Sequence, residues 1–244
     1  MDRRYIERLS YLVDEDKLDI LAKSSVLVCG CGGVGSFVAE ALARSGVGEL
    51  ILVDNDDIAI SNLNRQLMTT KENIGRSKVE ELKKRLEMIS DTKVSMIKTF
   101  IDESFDMPKC DIVADCIDTL TSKFILNKKA HAMQIPCISS MGSAKRLEPK
   151  DIKYTTLDKT KNDPLAKAFR GLVKKEGYKH KIEVVYADTP SIQKEITQEG
   201  KTSKERHPLG SAIFMVGSVG LYMAYIICKR LWEEKENEIQ RHAL

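Results

Sequence analysis

The chain has 244 residues, of which 42% are hydrophobic and 31% are charged, and its net charge is +3. This length suits one large domain, and the balanced composition excludes a disordered or fibrous protein. So small a net charge does not by itself indicate a nucleic-acid partner. The six cysteines include no Cys-x-x-Cys pair, and the first residues are charged. We therefore expect buried thiols, no structural zinc site of the usual spacing and a cytoplasmic location.

The first 140 residues alternate between short apolar runs and helical patterns. Two short amphipathic helices are predicted within residues 3–23. Strands are predicted at residues 25–30, 49–53, 94–99, 111–116 and 136–140, and helices at residues 34–45, 78–89 and 122–133. Continuously apolar strands suit a parallel sheet that is covered on both faces. The pattern predicts a doubly wound, mostly parallel, Rossmann-like α/β fold that binds ligands at the carboxyl ends of its strands.

The remaining residues show a weaker pattern and more charge. We predict one domain over residues 1–244, with a nucleotide-binding core at residues 1–145 and a substrate-facing basic extension at residues 146–244. The extension includes a helix at residues 163–176, an extended run at residues 182–186 and a mobile polar loop at residues 189–208. Residues 145–181 contain twelve Lys or Arg and five Asp or Glu. This basic band is either a solvated face or a surface for an anionic macromolecule.

Residues 209–228 carry no formal charge and are long enough to span a membrane. Gly217, Gly220 and several hydroxyl side chains make the stretch only modestly hydrophobic, and no second candidate exists in the sequence. The pattern favours a core turn or strand followed by a core helix, and it leaves peripheral membrane contact open.

A glycine-rich loop follows the first predicted strand and opens a helix. Its glycines, Gly30, Gly32, Gly33 and Gly35, permit a tight turn and let backbone amides approach phosphates at the helix N-terminus. Asp54 ends the next strand, where an acid accepts hydrogen bonds from ribose hydroxyls. The pair predicts a nucleotide site, with a loop whose glycines serve only packing as the alternative. Both NAD and ATP would suit it.

Two basic motifs favour ATP: SNLNRQ at residues 61–66 and GRSK at residues 75–78. A dehydrogenase binds a diphosphate mainly through backbone amides, whereas nucleotidyl transfer must neutralise charge that builds up on the phosphates. Arg65 and Lys78 are suited to that task. For either charge alone, a solvated surface position is the alternative.

Asp118 follows the strand predicted at residues 111–116, so it belongs at the ligand-binding edge of the sheet. A carboxylate that faces bound phosphates needs a cation between them, which makes Asp118 a candidate Mg²⁺ ligand. The alternative is that Asp118 or Thr119 caps the helix that begins near residue 122.

The order and spacing of these five motifs resemble the ubiquitin-activating-enzyme-like superfamily, of ThiF/MoeB type, over about the first 145 residues. The resemblance implies that Asp54 holds the ribose of ATP and that Asp118 binds magnesium. It makes Arg65, Lys78 and Asp118 the catalytic residues. The further side chains that it places against the nucleotide are Asn62 and Gln66.

Other motifs resemble the tRNA threonylcarbamoyladenosine dehydratases within this superfamily. They are ALARSGVG at residues 41–48, ISSMG at 138–142, KT at 159–160, DPLA at 163–166, VVY at 184–186 and GSA at 210–212. The resemblance implies ATP-dependent adenylation of the threonylcarbamoyl carboxylate on adenosine 37 of tRNA, followed by ring closure with loss of AMP. The basic band would then bind the phosphates of the anticodon arm.

The superfamily resemblance also implies a homodimer in which an N-terminal arginine reaches the partner's ATP. Arg4 is the first candidate and Arg8 the second. Two other functions stay open: an adenylyltransferase for a ubiquitin-like sulfur-carrier protein, and an NAD-dependent dehydrogenase. Arg65, Lys78 and Asp118 argue against the dehydrogenase. The sequence fixes neither the exact acceptor, nor a sulfur-transfer partner, nor the identity of any monovalent cation.

Overall fold

The structure is a computed structural model that describes the backbone of residues 3–192 and 209–242 and the side chains of residues 4–192 and 209–233. Most of the mobile loop predicted at residues 189–208 therefore lies outside the described residues. The chain begins with a 3-10 turn at Arg3–Ile6, followed by helices α1 at Glu7–Ser10 and α2 at Glu15–Lys23. These match the short helices predicted for residues 3–23.

A seven-stranded sheet forms the centre of the described chain. Its strands are β1 Ser25–Cys29, β2 Glu49–Val53, β3 Lys93–Ile97, β4 Ile112–Asp115, β5 Cys137–Ser140, β6 Ile152–Thr156 and β7 Glu183–Ala187. The helices that accompany them are α3 Gly33–Arg44, α4 Lys78–Glu87, α5 Leu120–Ala132, α6 Pro164–Lys175 and α7 Ile213–His242.

The strand order is β3-β2-β1-β4-β5-β7-β6, and every neighbouring pair is parallel except β6 with β7. From β1 the chain builds outward on one side through β2 and β3, and then returns to add β4 and β5 on the other side. Such a reversal opens a crevice at the carboxyl ends of the two central strands, here β1 and β4. The predicted doubly wound α/β fold is confirmed.

Helices cover both faces of the sheet. One face packs against α2, α3, α4 and α7 through a cluster that includes Leu42, Leu82 and Ile227, each fully buried. The other face packs against α5 and α6 through Leu126 and Phe169. Both faces of the central strands are thus apolar, which explains why β1 and β2 read as continuous hydrophobic runs.

The uncharged stretch forms the first half of α7, as predicted for a core helix. Residues Ile213–Glu233 are long and apolar enough to cross a membrane by length and composition, but 56% of the apolar window is buried inside the protein. Gly220 allows a close approach to α3, because a Cβ there would lie 2.7 Å from the carbonyl oxygen of Val34. The glycines that lower the hydrophobicity of α7 therefore serve helix packing.

One strand is absent from the sequence prediction, and the C-terminal region is more regular than expected. β6 pairs with β7 in antiparallel register, from Ile152 opposite Ala187 to Thr156 opposite Glu183. It is an edge strand, so its IKYTT sequence lacks the apolar continuity of β1. Residues 152–187 thus extend the central sheet.

Candidate active site

The glycine-rich loop lies at the centre of the crevice. Gly30 donates its backbone N–H to the carbonyl oxygen of Val53 at 2.8 Å, which joins the carboxyl ends of β1 and β2. Gly30 has φ +86°, and a Cβ there would lie 2.8 Å from the backbone of Cys116. A Cβ on Gly35 would lie 1.8 Å from the carbonyl oxygen of Gly30. These two positions therefore require glycine to form the turn.

The loop ends at the first turn of α3, where Gly32 is the N-cap and no side chain caps the helix. Free N–H groups at a helix N-terminus form a favourable site for phosphate. Gly33 lies against α7, because a Cβ there would be 3.3 Å from the side chain of Val216. The loop therefore presents its backbone towards the crevice while α7 packs on one side.

Asp54 follows β2 and lies beside this loop. Its Oδ2 accepts the backbone N–H of Cys31 at 2.7 Å, and its Oδ1 accepts the N–H of Asp56 at 2.8 Å. Burial raises the pKa of Asp54 above its usual value, and the two N–H groups and the charge of Lys78 oppose the rise. The carboxylate is thus fixed at the end of β2, close to the glycine-rich loop.

Lys78 is the first residue of α4, and its side chain is only 8% exposed. Its Nζ donates to Oδ2 of Asp56 at 2.6 Å, whereas the Asp56 side chain is 57% exposed. The Lys78 backbone N–H also donates to the carbonyl oxygen of Asp56 at 3.1 Å, and Asp56 donates its N–H to Asp54, so Lys78 lies close to Asp54 and the glycine-rich loop. A buried ammonium whose partner is solvated is well placed to turn to a bound anion.

The SNLNRQ motif forms a 3-10 turn at Ile60–Asn62 and the residues after it. Asn62 is buried, and its Oδ1 accepts the N–H of Ala59 at 3.0 Å. Gln66 is also buried, its Nε2 lies near Gly32, and its Oε1 has no hydrogen-bond partner within the part of the chain that the structure describes. The Gln66 side chain therefore offers a hydrogen-bond acceptor next to the glycine-rich loop.

Arg65 is partly exposed at the same edge. Its Nη1 donates to the carbonyl oxygen of Ser61 at 2.7 Å and to Oδ1 of Asn64 at 3.0 Å. Neither acceptor is a carboxylate, so its charge is available to neutralise an anion in the crevice.

Asp118 lies in the loop between β4 and α5 and is exposed. Cys116 donates its N–H to the carbonyl oxygen of Cys29 at 2.8 Å, which places the start of this loop beside the glycine-rich loop. Thr119 occupies the N-cap of α5 without a capping hydrogen bond, and its Oγ1 is 3.5 Å from Oδ1 of Asp118. The arrangement therefore leaves the carboxylate open to a ligand.

A buried polar network beneath this loop was missed by the sequence analysis. Nζ of Lys123 is 2.8 Å from Oδ2 of Asp115, and neither side chain is exposed at all. The same Oδ2 accepts from Ser139 at 2.6 Å and from Asn127 at 3.2 Å, and Oδ1 accepts the N–H of Ile117 at 3.1 Å. The network fixes the backbone immediately before Asp118. A lysine and an asparagine in the middle of α5 were its only sequence signal.

The described residues offer no group of three His, Cys, Asp or Glu that could hold a metal by itself. Mg²⁺ in nucleotide sites is usually held by one or two carboxylates together with the substrate phosphates. The exposed carboxylate of Asp118 beside the glycine-rich loop fits that donor set.

The cysteines are reduced and poorly suited to catalysis. All six are free, and burial raises the pKa of every thiol, to about 12 for Cys110 and Cys228. Thiols held in the neutral form are weak nucleophiles.

Two groups of predicted residues lie away from the crevice. Arg4 lines a cavity with Tyr5 and residues 87–91, between the end of α4 and the start of β3, which is the opposite edge of the sheet. Lys174 and Lys175 lie in the last turn of α6, and this helix begins near Gly142 at the carboxyl edge. Twelve helical residues span about 18 Å, so the basic band extends from the crevice towards the far edge.

Comparison with known proteins places this arrangement in a family. The model of the ThiF family matches residues 5–242.

The chain belongs to the ThiF family.

Curated relatives agree over nearly the full length. The tRNA threonylcarbamoyladenosine dehydratase of Bacillus subtilis is 38% identical over 242 residues, which cover 94% of this chain and 94% of the relative. The enzyme of the same name from Haemophilus influenzae is 31% identical and covers 92% of each chain. By contrast, the molybdopterin-synthase adenylyltransferase of Haemophilus influenzae is 36% identical over only 56% of this chain.

Solved structures of ThiF-type enzymes agree as well. The Escherichia coli tRNA N6-threonylcarbamoyladenosine dehydratase TcdA, in complex with ATP, superposes with a TM-score of 0.84 at 27% identity, and 96% of each chain is covered. The complex of the same enzyme with AMP gives a TM-score of 0.85 at 26% identity. The Rossmann-like architecture predicted for this chain is confirmed.

Proposed function

We propose that this ThiF-family protein is an ATP-dependent tRNA threonylcarbamoyladenosine dehydratase. The observation that carries the proposal is 38% identity to a dehydratase over 94% of both chains. The likeness therefore includes residues 146–192, beyond the nucleotide core that adenylyltransferases share. Within a single ThiF domain, residues 1–145 bind the nucleotide and residues 146–244 contribute the acceptor side and the core helix α7.

In the first step the threonylcarbamoyl carboxylate attacks the α-phosphorus of ATP, and pyrophosphate leaves. Asp54 orients the ribose, and the backbone of the glycine-rich loop receives the phosphates. The ammonium group of Lys78 leaves Asp56 and binds the phosphates instead, and Arg65 neutralises the charge that develops on them. Asp118 would hold Mg²⁺, which when bound would supply electrostatic stabilisation of the leaving pyrophosphate. Asn62 and Gln66 complete the polar lining.

In the second step a nitrogen or oxygen atom of the same substituent attacks the activated carbonyl, and AMP leaves as the ring closes. The attacking atom is already tethered, so the step has a large proximity advantage and needs no protein nucleophile. The raised pKa of each cysteine thiol agrees with a mechanism without thiol catalysis.

The tRNA partner fits the basic surface of the protein. Lys174 and Lys175 are exposed near one end of the basic band, and binding to tRNA phosphates should weaken steeply with salt. Charge reversal at both lysines should reduce tRNA affinity and the slope of its salt dependence, as measured by fluorescence anisotropy at several salt concentrations. An unchanged slope would remove this surface from the tRNA site.

A homodimer in the cytoplasm is part of the proposal. One side of α7 presents exposed apolar side chains at Phe214, Leu221 and Tyr225, which suits burial against a second copy. Arg4 lies at the opposite edge from the crevice of its own chain, so it could reach ATP only in the partner. A sulfur-transfer protein is a further partner to test in cell extracts.

The deciding experiment combines the purified protein with ATP, magnesium and tRNA that carries threonylcarbamoyladenosine. We expect AMP, pyrophosphate and the cyclic nucleoside, detected by mass spectrometry of digested tRNA. Pyrophosphate exchange that requires a carrier protein ending in Gly-Gly would instead favour the sulfur-carrier adenylyltransferase. Tight binding of NAD without any response to ATP and magnesium would contradict both.

A further inference from the structure

Arg146 is a buried cation whose hydrogen bonds all go to backbone carbonyls. It is only 3% exposed. Nε donates to Thr189 at 2.9 Å, and Nη2 donates to Asn162 at 2.8 Å. Nη1 donates to Gly142 at 2.8 Å and to Ala144 at 3.3 Å. One planar guanidinium thus connects the loop after β5, the residues before α6 and the end of β7.

All four acceptors are neutral carbonyl groups, with the carboxylate of Asp163 nearby. A buried charge is a costly way to stabilise a fold even with a carboxylate at hand, since an apolar side chain of similar volume often does as well. The rigid fork of a guanidinium does provide several donors in fixed directions. Arg146 therefore fixes the relative positions of three loops that are distant in sequence. Such precision is required where a substrate must be oriented.

These loops border the nucleotide crevice. Lys145 donates its backbone N–H to the carbonyl oxygen of Gly210 at 2.8 Å. The next residue, Ser211, accepts a hydrogen bond from Nδ2 of Asn64 at 2.8 Å, and Asn64 in turn accepts from Arg65. A continuous series of contacts therefore leads from the Arg146 loops to the predicted phosphate contact Arg65.

Asp163 lies beside Arg146 and is buried. Its Oδ1 accepts the N–H of Ala166 at 2.9 Å and so caps α6. A Cβ on Gly142 would lie 3.0 Å from the same oxygen. Burial raises the pKa of Asp163, and its contacts with Ala166 and the charge of Arg146 oppose the rise. The ISSMG and DPLA motifs, which carried the resemblance to the dehydratases, thus meet at this point.

Two buried hydroxyl groups in these loops can still form hydrogen bonds. Among the described residues, Oγ of Ser143 and Oγ1 of Thr189 have no hydrogen-bond partner, and each residue is only 9% exposed. A buried hydroxyl without a partner is unfavourable, and in native proteins such a group usually meets a ligand or an ordered water. We refer to these residues together as the Arg146 cluster: Gly142, Ser143, Arg146, Asn162, Asp163 and Thr189.

We infer that the Arg146 cluster is the acceptor side of the active site. Arg146 is a positioning residue that fixes its loops, and the Ser143 and Thr189 hydroxyls bind polar groups of the N-carbamoyl amino-acid substituent on the tRNA. This inference rests on the proposed function. It assigns acceptor orientation to residues that the nucleotide motifs do not include.

Arg146→Met and Arg146→Lys test the positioning role, with Arg85→Met as the control. Arg85 pairs with Glu40 of α3 outside the cluster. In Arg146→Met, kcat for dehydration of modified tRNA should fall by about 100-fold, as expected for a misplaced reacting group. The Kd values for ATP with magnesium and for tRNA should change by less than about twofold. Arg146→Lys should recover part of kcat, because its ammonium retains three donors. Arg85→Met should keep the wild-type kcat.

Ser143→Ala separates function from folding. Removing a hydroxyl that has no protein partner should not lower the Tm, but kcat or the KM for modified tRNA should worsen by about tenfold. Wild-type kcat in both Arg146→Met and Ser143→Ala would overturn the inference, as would a loss of ATP affinity parallel to the loss of kcat. If the wild-type protein itself leaves modified tRNA unchanged, the proposed function fails first, and the inference falls with it.

Discussion

The two sides of the crevice are constructed differently. The proposed nucleotide side consists of residues at strand ends and helix starts: the glycine-rich loop leads into α3, Asp54 follows β2, and Lys78 begins α4. On the proposed acceptor side, Arg146 joins segments 16 and 43 residues away in sequence. A local sequence motif is sufficient to build the nucleotide side, because backbone geometry alone positions the groups proposed to contact the nucleotide. The second depends on side-chain hydrogen bonds between distant loops.

The largest effect that tests this difference is expected at Asp118. Asp118→Ala should reduce adenylation by more than about 1,000-fold, because it removes the carboxylate proposed to hold magnesium against the phosphates. The side chain is exposed, so the Tm should not change. Activity is followed by pyrophosphate release with modified tRNA. Asp102→Ala, another exposed carboxylate, should retain full activity. Comparable turnover in the two variants would remove Asp118 from the mechanism.

The buried polar network beneath the nucleotide side can be disrupted by replacing Lys123. Lys123→Met leaves the fully buried Asp115 without its cation, which should lower the free energy of unfolding by about 3–5 kcal/mol. Urea denaturation measures the change. Lys128→Met lies on the same helix but removes a side chain that is 45% exposed, so it should cost less than about 1 kcal/mol. Equal stability of the two variants would contradict the burial of the Asp115 pair.

Lys78 and Lys98 offer a sharper comparison within the nucleotide side. Each amine lies 2.6 Å from a carboxylate, but the Lys78 side chain is 8% exposed and that of Lys98 is 46% exposed. Lys78→Ala should reduce kcat by about 100-fold, or about 3 kcal/mol, because the buried charge is proposed to act on the phosphates. Arg65→Ala should have an effect of similar size. Lys98→Ala should stay within about twofold of wild type. A similar loss in Lys98→Ala would mean that long-range charge, rather than contact, explains the effect.

These comparisons also show which features could be predicted from the sequence. The parallel strands were predictable because strands such as β1 are buried on both faces and therefore continuously apolar. The positions of the residues around the glycine-rich loop were predictable because these residues lie directly after strand ends or at helix starts. β6 was missed because an edge strand needs no continuous apolar run.

The Asp115–Lys123 pair and the Arg146 cluster were missed for a related reason. A buried Lys or Arg is indistinguishable in sequence from a solvated one until its partners are known. Lys123 lies in a helix whose other lysines, such as Lys128, are at the surface. Only tertiary contacts distinguish the buried lysine from the exposed one. The sequence therefore predicts where the residues of the nucleotide side lie, but it does not predict the buried network beneath them.

The smallest expected effect concerns pH, and it distinguishes a crevice carboxylate from a surface one. Burial raises the pKa of Asp54, whereas hydrogen bonds from Ser104 lower the pKa of Asp102. The folded protein therefore holds a proton on Asp54 more firmly than the unfolded chain does, so ionisation of Asp54 reduces stability as pH rises through its folded pKa. Ionised Asp102 instead contributes stability that is lost as pH falls through its lowered pKa.

Unfolding experiments between pH 3 and 7 should thus give opposite trends for the two asparagine variants. Relative to wild type, Asp54→Asn should become more stable as pH rises, by less than about 2 kcal/mol. Asp102→Asn should become less stable over the same rise. Parallel trends would show that Asp54 is solvated like a surface acid. A solvated Asp54 would no longer differ from a surface carboxylate, and its proposed role in holding the ribose would have to be reassigned.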